Sequence, residues 1–90
     1  MELTIQHHLK KEEEEMLVTI LKTVHRKLKV FEVEVDRNKT VWALKKLIED
    51  MVDIAAPRQV FISRKKEEVM VDSKTMADYD LKDKSVLILL

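Results

Sequence analysis

The chain contains no glycine and no cysteine among its 90 residues. Without glycine it has no glycine-rich phosphate loop, nucleophile elbow or dinucleotide-binding turn of the kinds that many enzymes use. Without cysteine it has no disulfide framework, no thiolate chemistry and no cysteine-based zinc site. Turns that need a positive φ angle must use other residues, and we expect Asn38 and Asp53 to adopt it because short polar side chains tolerate it best.

The chain also lacks a long hydrophobic run and an excess of charge of either sign. No apolar stretch approaches the length needed to cross a membrane, and the N-terminus lacks the basic-then-apolar order of a signal peptide. Basic and acidic residues balance at 17 each, which argues against general nucleic-acid binding. With 46% hydrophobic residues, the composition suits one small domain, and we expect it in the cytoplasm or the nucleus.

Candidate catalytic and metal-binding groups are few. His7 and His8 are adjacent near the N-terminus, where they lack a preformed ligand geometry. The serines have no histidine and acid nearby in the pattern that activates a nucleophile. We therefore expect no enzymatic activity, no metal and no cofactor.

Alternating hydrophobic residues predict two strands, at residues 16–23 and 29–35, joined by a turn at 24–27. In the second strand Phe31, Val33 and Val35 point inward, and the glutamates between them point outward. Residues 1–15 precede these strands. We predict a flexible arm there, because it has few apolar groups and an acidic run at residues 12–15.

A helix is predicted next, followed by three further strands. Thr40 is a candidate N-cap, and an apolar face then recurs at helical spacing: Val41, Leu44, Ile48, Met51 and Val52. Strands follow at residues 59–64, 69–71 and 85–90, with Leu87 and Leu89 inward. A short helical turn begins at Thr75 with a capping-box-like spacing to Asp78.

Several segments in order resemble one family. Residues 74–81 (KTMADYDL) resemble the K/R-T-L-x-D-Y-x-I/L segment of ubiquitin-like domains. Residues 40–48 resemble the start of the ubiquitin helix, and residues 32–35 the end of its second strand. The resemblance covers residues 16–90 and implies an α+β ubiquitin-like β-grasp, ββαββ with a short helical turn before the last strand. It also implies that Tyr79 packs beside that turn and that its hydroxyl bonds a nearby backbone.

The resemblance implies a non-catalytic module that binds a protein partner. In ubiquitin the sheet face away from the helix carries the recognition patch, whose central isoleucine matches Ile62 and whose last-strand valine matches Leu90. Strand alternation adds neighbours to that face, so the predicted partner-binding residues are Ile62, Ile88, Leu90, Val60 and Leu21. We expect a helix or loop of a partner similar to ubiquitin receptors to dock there.

Two loops add a predicted basic rim, which is either a solvated edge or a group that steers an acidic partner: Arg26, Lys27, Arg64, Lys65 and Lys66. We expect these two loops to lie near one another. Trp42, on the polar side of the helix, is either covered by lysine stems or the arm, or is itself a partner contact.

Two alternatives remain open, and a third is not expected. A Ras-association-like module would bind a small GTPase through the second-strand edge at Lys27 and Lys29. A structural domain of a multidomain protein would bury its sheet face against a neighbour. A conjugated modifier would need a Gly-Gly tail, and this sequence as given has none, so we expect no covalent conjugation.

Overall fold

The computed structural model describes residues 15–90, which form a five-stranded sheet crossed by one helix. The elements in chain order are β1 (Glu15–Val24), β2 (Lys27–Asp36), α1 (Val41–Val52), β3 (Phe61–Ser63), β4 (Glu68–Val69) and β5 (Ser85–Leu89), with 3₁₀ turns at Ala56–Arg58 and Ala77–Tyr79. The strand order is β2-β1-β5-β3-β4, and β5 lies parallel to β1 at the centre. The predicted α+β β-grasp is therefore confirmed. Residues 1–14 of the predicted arm lie outside the described residues, so its flexibility and the domain boundary stay predictions, although Glu15 is already the first residue of β1.

β1 and β2 form a hairpin that is paired over its whole length. The pairs run from Glu15 opposite Asp36 to Val24 opposite Lys27. The turn consists of His25 and Arg26 alone, with φ angles of 50° and 66°. Two successive positive φ angles are typical of a type I′ turn, whose twist matches that of the strands. The turn is shorter than the predicted one because pairing continues to its two flanking residues.

The helix begins where the sequence predicts. The Thr40 hydroxyl accepts a hydrogen bond from the Ala43 N–H at 3.1 Å, which caps α1. Val41, Leu44 and Ile48 are buried against the sheet. The expectation that Met51 belongs to this buried face is wrong, because its side chain is 48% exposed. Met51 lies on the flank of the last turn and lines a surface depression instead.

The helix ends at Val52, and Asp53 caps it with a φ of 57° and a ψ of 39°, so the predicted positive φ at Asp53 is confirmed. The matching prediction for Asn38 is wrong. Its N–H donates to the Asp36 carboxylate at 2.7 Å in an ordinary turn, so no left-handed residue is needed there. Within residues 15–90 the positive φ angles belong to His25, Arg26, Asp53, Glu67, Asp80 and Lys84.

Two polar side chains are buried at α1, one in the helix and one next to it. The Lys45 ammonium lies 2.5 Å from the Asp72 carboxylate, with Lys45 buried and Asp72 half exposed. The side-chain amide of buried Gln59 donates to the carbonyl oxygens of Lys45 and Ile54 at 3.0 and 2.9 Å. These contacts connect α1 to the segments before β3 and after β4, and so fix the helix over the sheet.

The short turn before β5 is held by side chains that the sequence identifies. The Thr75 N–H donates to the Asp78 carboxylate at 2.9 Å, and the Asp78 N–H donates to the Thr75 hydroxyl at 3.1 Å. Tyr79 is buried, and its hydroxyl accepts a hydrogen bond from the Val71 N–H at 2.6 Å. The expected structural role of Tyr79 is therefore confirmed.

The core lies between α1 and the inner face of the sheet. Leu87 and Leu89 are buried in it, as predicted. β3 and β4 are shorter than the sequence predicts: β3 has three residues and begins after the 3₁₀ turn at Ala56–Arg58, and β4 has two. The residues with no exposed surface include Val18, Ile20, Val41, Leu44, Ile48, Phe61, Met76 and Leu87.

Candidate interaction surface

The sheet face opposite α1, called the outer face below, receives one apolar side chain from every strand. Residues directly opposite in a ladder share a face of the sheet. Leu21 of β1 is opposite Val30 of β2 on one side and Ile88 of β5 on the other. Ile62 of β3 is opposite Ile88, and Val69 of β4 is opposite Ile62. The register thus forms what we call the apolar row, in sheet order: Val30, Leu21, Ile88, Ile62 and Val69.

The apolar row is more exposed at its ends than at its middle. Leu21, Ile88 and Ile62 are half-buried by their neighbours in the sheet. Val30 and Val69, on the two edge strands, are 57% and 56% exposed. The row is therefore a continuous surface feature and not part of the core under α1.

Two further predicted residues extend the surface beyond the ends of β3 and β5. The Leu90 N–H donates to the Val60 carbonyl oxygen at 2.9 Å, which holds the two residues side by side. Leu90 is 62% exposed. A shallow depression of about 440 Å³ joins this end to the row, lined by Leu21, Lys22, Thr23, Leu28, Ile88, Leu89 and Leu90. The structure thus brings together the five residues predicted for partner binding.

Sequence reasoning missed three members of this surface. Val30, Val69 and Leu28 lie on the edge strands and are exposed on the outer face. The signal for Val30 was present, because the alternation that sends Phe31 inward sends Val30 outward. Val69 had no comparable signal, since β4 has only two residues and its register is set by pairing with β3.

Charged residues flank the outer face differently on its two sides. Glu32 and Glu34 of β2 are opposite Thr19 and Leu17 and share their face. On the other side, Arg64 and Lys65 lie beside Val86 at the start of β5. Both groups lie toward the start of β1 and β5, on the same side of the apolar row, so a partner that crosses the strands there meets acidic side chains at the β2 edge and basic ones beside β3.

The prediction that the two basic loops lie near one another is wrong. Arg26 and Lys27 lie at the hairpin end, beyond the end of β5, whereas residues 64–67 follow β3 toward the start of β5. At about 3.3 Å per residue, the loops are roughly 15–20 Å apart along the strands. The reason is topological, because β3 runs antiparallel to β5 while β1 runs parallel to it. The predicted rim is two separate basic clusters.

Part of the second cluster is engaged within the domain. The Lys65 ammonium lies 2.5 Å from the Asp80 carboxylate and lowers the pKa of that carboxyl group. The Lys66 ammonium donates to the Asp78 carbonyl oxygen at 3.4 Å. Arg64 is exposed. A steering role for this cluster stays a prediction that depends mainly on Arg64.

The helix side opposite the sheet offers a weaker candidate surface. Trp42 is 39% exposed, and its backbone N–H donates to the Asp72 carbonyl oxygen at 3.1 Å. Lys46 beside it donates to Glu49 at 3.0 Å. The indole is thus partly covered, and a partner contact through it stays a prediction.

Other kinds of site find little support in the described part of the chain. Residues 15–90 contain no group of three His, Cys, Asp or Glu side chains arranged to hold a metal ion. His7 and His8 lie outside the described residues. No helix among those described is both long and apolar enough to span a bilayer.

Comparison with known proteins decides the family. A model of the ubiquitin family matches residues 20–90. The chain belongs to the ubiquitin family. This ubiquitin-like domain is similar in structure to the UBL domain of Dsk2 from Plasmodium falciparum, with a TM-score of 0.74 and 25% sequence identity. The match covers 83% of this chain and 95% of the Dsk2 domain. No curated protein sequence matches the chain significantly.

Proposed function

We propose that this ubiquitin-like domain is a non-catalytic interaction module, which binds an apolar helix or loop of a protein partner on its outer face around Ile62. The observation that carries the proposal is the apolar row, with one side chain from each of five strands. Contiguous apolar surface of this kind marks interaction sites in soluble domains. Ubiquitin uses the corresponding face for recognition, and the Dsk2 UBL domain has the same fold.

The shape and charge of the face favour a partner helix. A helix presents apolar side chains along one stripe, and that stripe fits a single straight row. Basic residues near one end of the helix would meet Glu32 and Glu34, and acidic residues near the other end would meet Arg64. Such charges set the orientation of the helix and its rate of association more than its affinity.

The affinity expected for one partner element is modest. Burial of apolar surface contributes about 25 cal/mol per Å². Lost translational and side-chain freedom offsets much of that gain, which places a small interface near micromolar affinity. Ile62 is the central candidate because it lies inside the row, with Ile88 and Val69 directly opposite it.

Two variants test the proposal with a labelled helical element of a ubiquitin receptor as probe. Ile62→Ala should weaken binding about tenfold, equivalent to about 1.4 kcal/mol, while the domain stays folded. Leu47→Ala is the matched control, since it removes an exposed aliphatic side chain from α1 instead of the outer face. Equal loss from both variants, or loss from Leu47→Ala alone, refutes the proposed site.

The Ras-association-like alternative is separated by a charge reversal. Lys27 and Lys29 are exposed on β2, an edge strand, which is the position that this alternative requires. Lys27→Glu should abolish binding of an acidic GTPase and should leave binding of the helical probe nearly unchanged. The structural-domain alternative predicts no binding of either probe.

A further inference from the structure

The β1–β2 hairpin carries two lysines on the helix side of the sheet, beside the end of α1. Ile20 and Phe31 are opposite each other, and both side chains turn toward the core. Two residues further toward the turn, Lys22 and Lys29 are also opposite each other, so their side chains share that face. Lys29 is exposed and Lys22 is half-buried. The hairpin thus presents a pair of cations to solvent next to the helix.

A surface depression lies between this part of the hairpin and the C-terminal end of α1. Its volume is about 380 Å³. Ligand pockets run from roughly 300 to 1,000 Å³, so it has room for a large side chain of a partner. Phe31, Val52 and Ile54 line it and pack against the core, while part of each stays exposed. Met51, which is 48% exposed, completes an apolar lining.

Positive charge is in excess around the depression. Lys27 lies two residues before Lys29 on the same face of β2 and adds a third ammonium group. The acidic residue in the lining is Asp53, and the end of α1 adds about half a negative charge. Like charges directly opposite in a ladder are destabilising, and the ion pairs within residues 15–90 involve other lysines. A bound carboxylate relieves this repulsion.

We propose that this depression, which we call the hairpin pocket, binds an acidic and apolar segment of a protein partner. A large apolar side chain of that segment lies against Met51 and Ile54, and carboxylates next to it in the segment lie near Lys22 and Lys29. Charge complementarity selects this occupant. A basic segment is repelled, and a wholly apolar one covers ammonium groups without pairing them. A free anion leaves the apolar lining unused.

The hairpin pocket is separate from the other two candidate surfaces. It lies on the helix side of the sheet, whereas the apolar row lies on the outer face, so one chain can hold both partners. It also differs from the β2 edge of the Ras-association-like alternative, because Lys22 belongs to β1 and Met51 to α1. Binding there does not depend on the outer face, so either proposal can fail alone.

An NMR titration of the ¹⁵N-labelled full chain with a short blocked peptide tests the proposal. The peptide has one phenylalanine between two pairs of aspartates, and a second peptide carries serine in place of the phenylalanine. The contact is small, so the dissociation constant should be about 0.1–1 mM. The largest amide shifts should fall in residues 22–24, 29–31 and 51–54. The serine peptide should bind at least about fivefold more weakly, because it buries less apolar surface.

A double charge reversal tests the lysine pair. Lys22→Glu with Lys29→Glu should weaken binding of the phenylalanine peptide at least about tenfold, because two attractions become repulsions. Lys82→Glu with Lys84→Glu is the matched control, since it changes the net charge equally at two exposed lysines before β5. The ubiquitin-receptor helix should still bind the first variant. Equal loss of that helix would overturn the assignment, because Lys22 also borders the depression on the outer face.

A single substitution tests the apolar lining. Met51→Ala should weaken binding of the phenylalanine peptide about threefold. Leu47→Ala is its control, because Leu47 is an exposed residue one turn earlier on α1 and lies outside the lining. Equal effects of a variant and its control overturn the proposal, and so does equal binding of the two peptides. Binding of phosphatidylserine vesicles through the lysine pair, with no binding of the peptide, overturns it in favour of a lipid surface.

Discussion

The C-terminus of α1 makes a quantitative prediction about a chain without glycine. Asp53 holds a left-handed conformation, with φ 57° and ψ 39°, and its N–H bonds the Glu49 carbonyl oxygen. This conformation costs most L-residues about 1–2 kcal/mol, and aspartate lies at the low end because its short polar side chain tolerates it. Its carboxylate also lies at the negative end of the helix dipole, which costs about 0.3–1 kcal/mol.

Asp53→Gly removes both penalties. It also gives the unfolded chain more backbone entropy, which offsets part of the gain in stability. The net gain should be about 1 kcal/mol, seen as a rise in Tm of about 4–8 °C for a domain of this size. Asp53→Ala removes the charge but keeps a Cβ atom. It should therefore be less stable than Asp53→Gly by about 1 kcal/mol. Urea unfolding at neutral pH measures the difference directly.

Asp50 supplies the matched control, because it lies within α1 and is also an exposed aspartate. There the order should reverse, with Asp50→Ala more stable than Asp50→Gly by about 1 kcal/mol. The same order at both positions would refute the argument, because it would mean that the backbone angle at Asp53 does not govern its residue preference.

Three further predictions concern the core, the buried ion pair and acid stability. Leu44→Ala or Ile48→Ala should lower the unfolding free energy by about 2–5 kcal/mol in urea titrations, because both side chains have no exposed surface, and a loss below about 1 kcal/mol would contradict the assigned helix face. Asp72→Asn should destabilise the domain more than Lys45→Met, because it leaves a buried ammonium unpaired, whereas half-exposed Asp72 can be hydrated; the reverse order in the same titrations would contradict this. Hydrogen bonds from the Ala56 N–H and from Lys46 lower the pKa of Glu49 below its ordinary 4.5 in the folded state. Its contribution to stability is thus present above pH 4.5 and lost as the pH falls through the lower folded value, and Glu49→Gln should make acid unfolding curves shallower over that range.

The features that the sequence predicts correctly are those set by residues close together in the chain. The helix is bounded by the Thr40 cap and by apolar residues at helical spacing, and both signals lie within a few residues of the structure that they describe. The same holds for the Thr75 and Asp78 cap. Alternation also predicts that Leu21, Ile62 and Ile88 point to one face, because each strand fixes its own inward and outward sides.

What the sequence does not predict depends on how distant segments pair. The inclusion of Val69 in the apolar row follows from the pairing of β4 with β3, and the separation of the basic loops follows from the opposite directions of β3 and β5. The burial of Lys45 depends on Asp72, 27 residues further along the chain. From the sequence alone Lys45 is expected to be exposed, because a buried charge requires a partner and the partner here is distant in sequence.

The most direct test of the central claim is an NMR titration of the ¹⁵N-labelled full chain with the unlabelled ubiquitin-receptor helix. If the outer face is the recognition surface, the first and largest amide shifts should fall in Phe61–Ser63 and Ser85–Leu89, with Leu21 and Val30 following. Shifts that instead centre on Trp42, Lys46 and Glu49 would place the site on the helix and contradict the account.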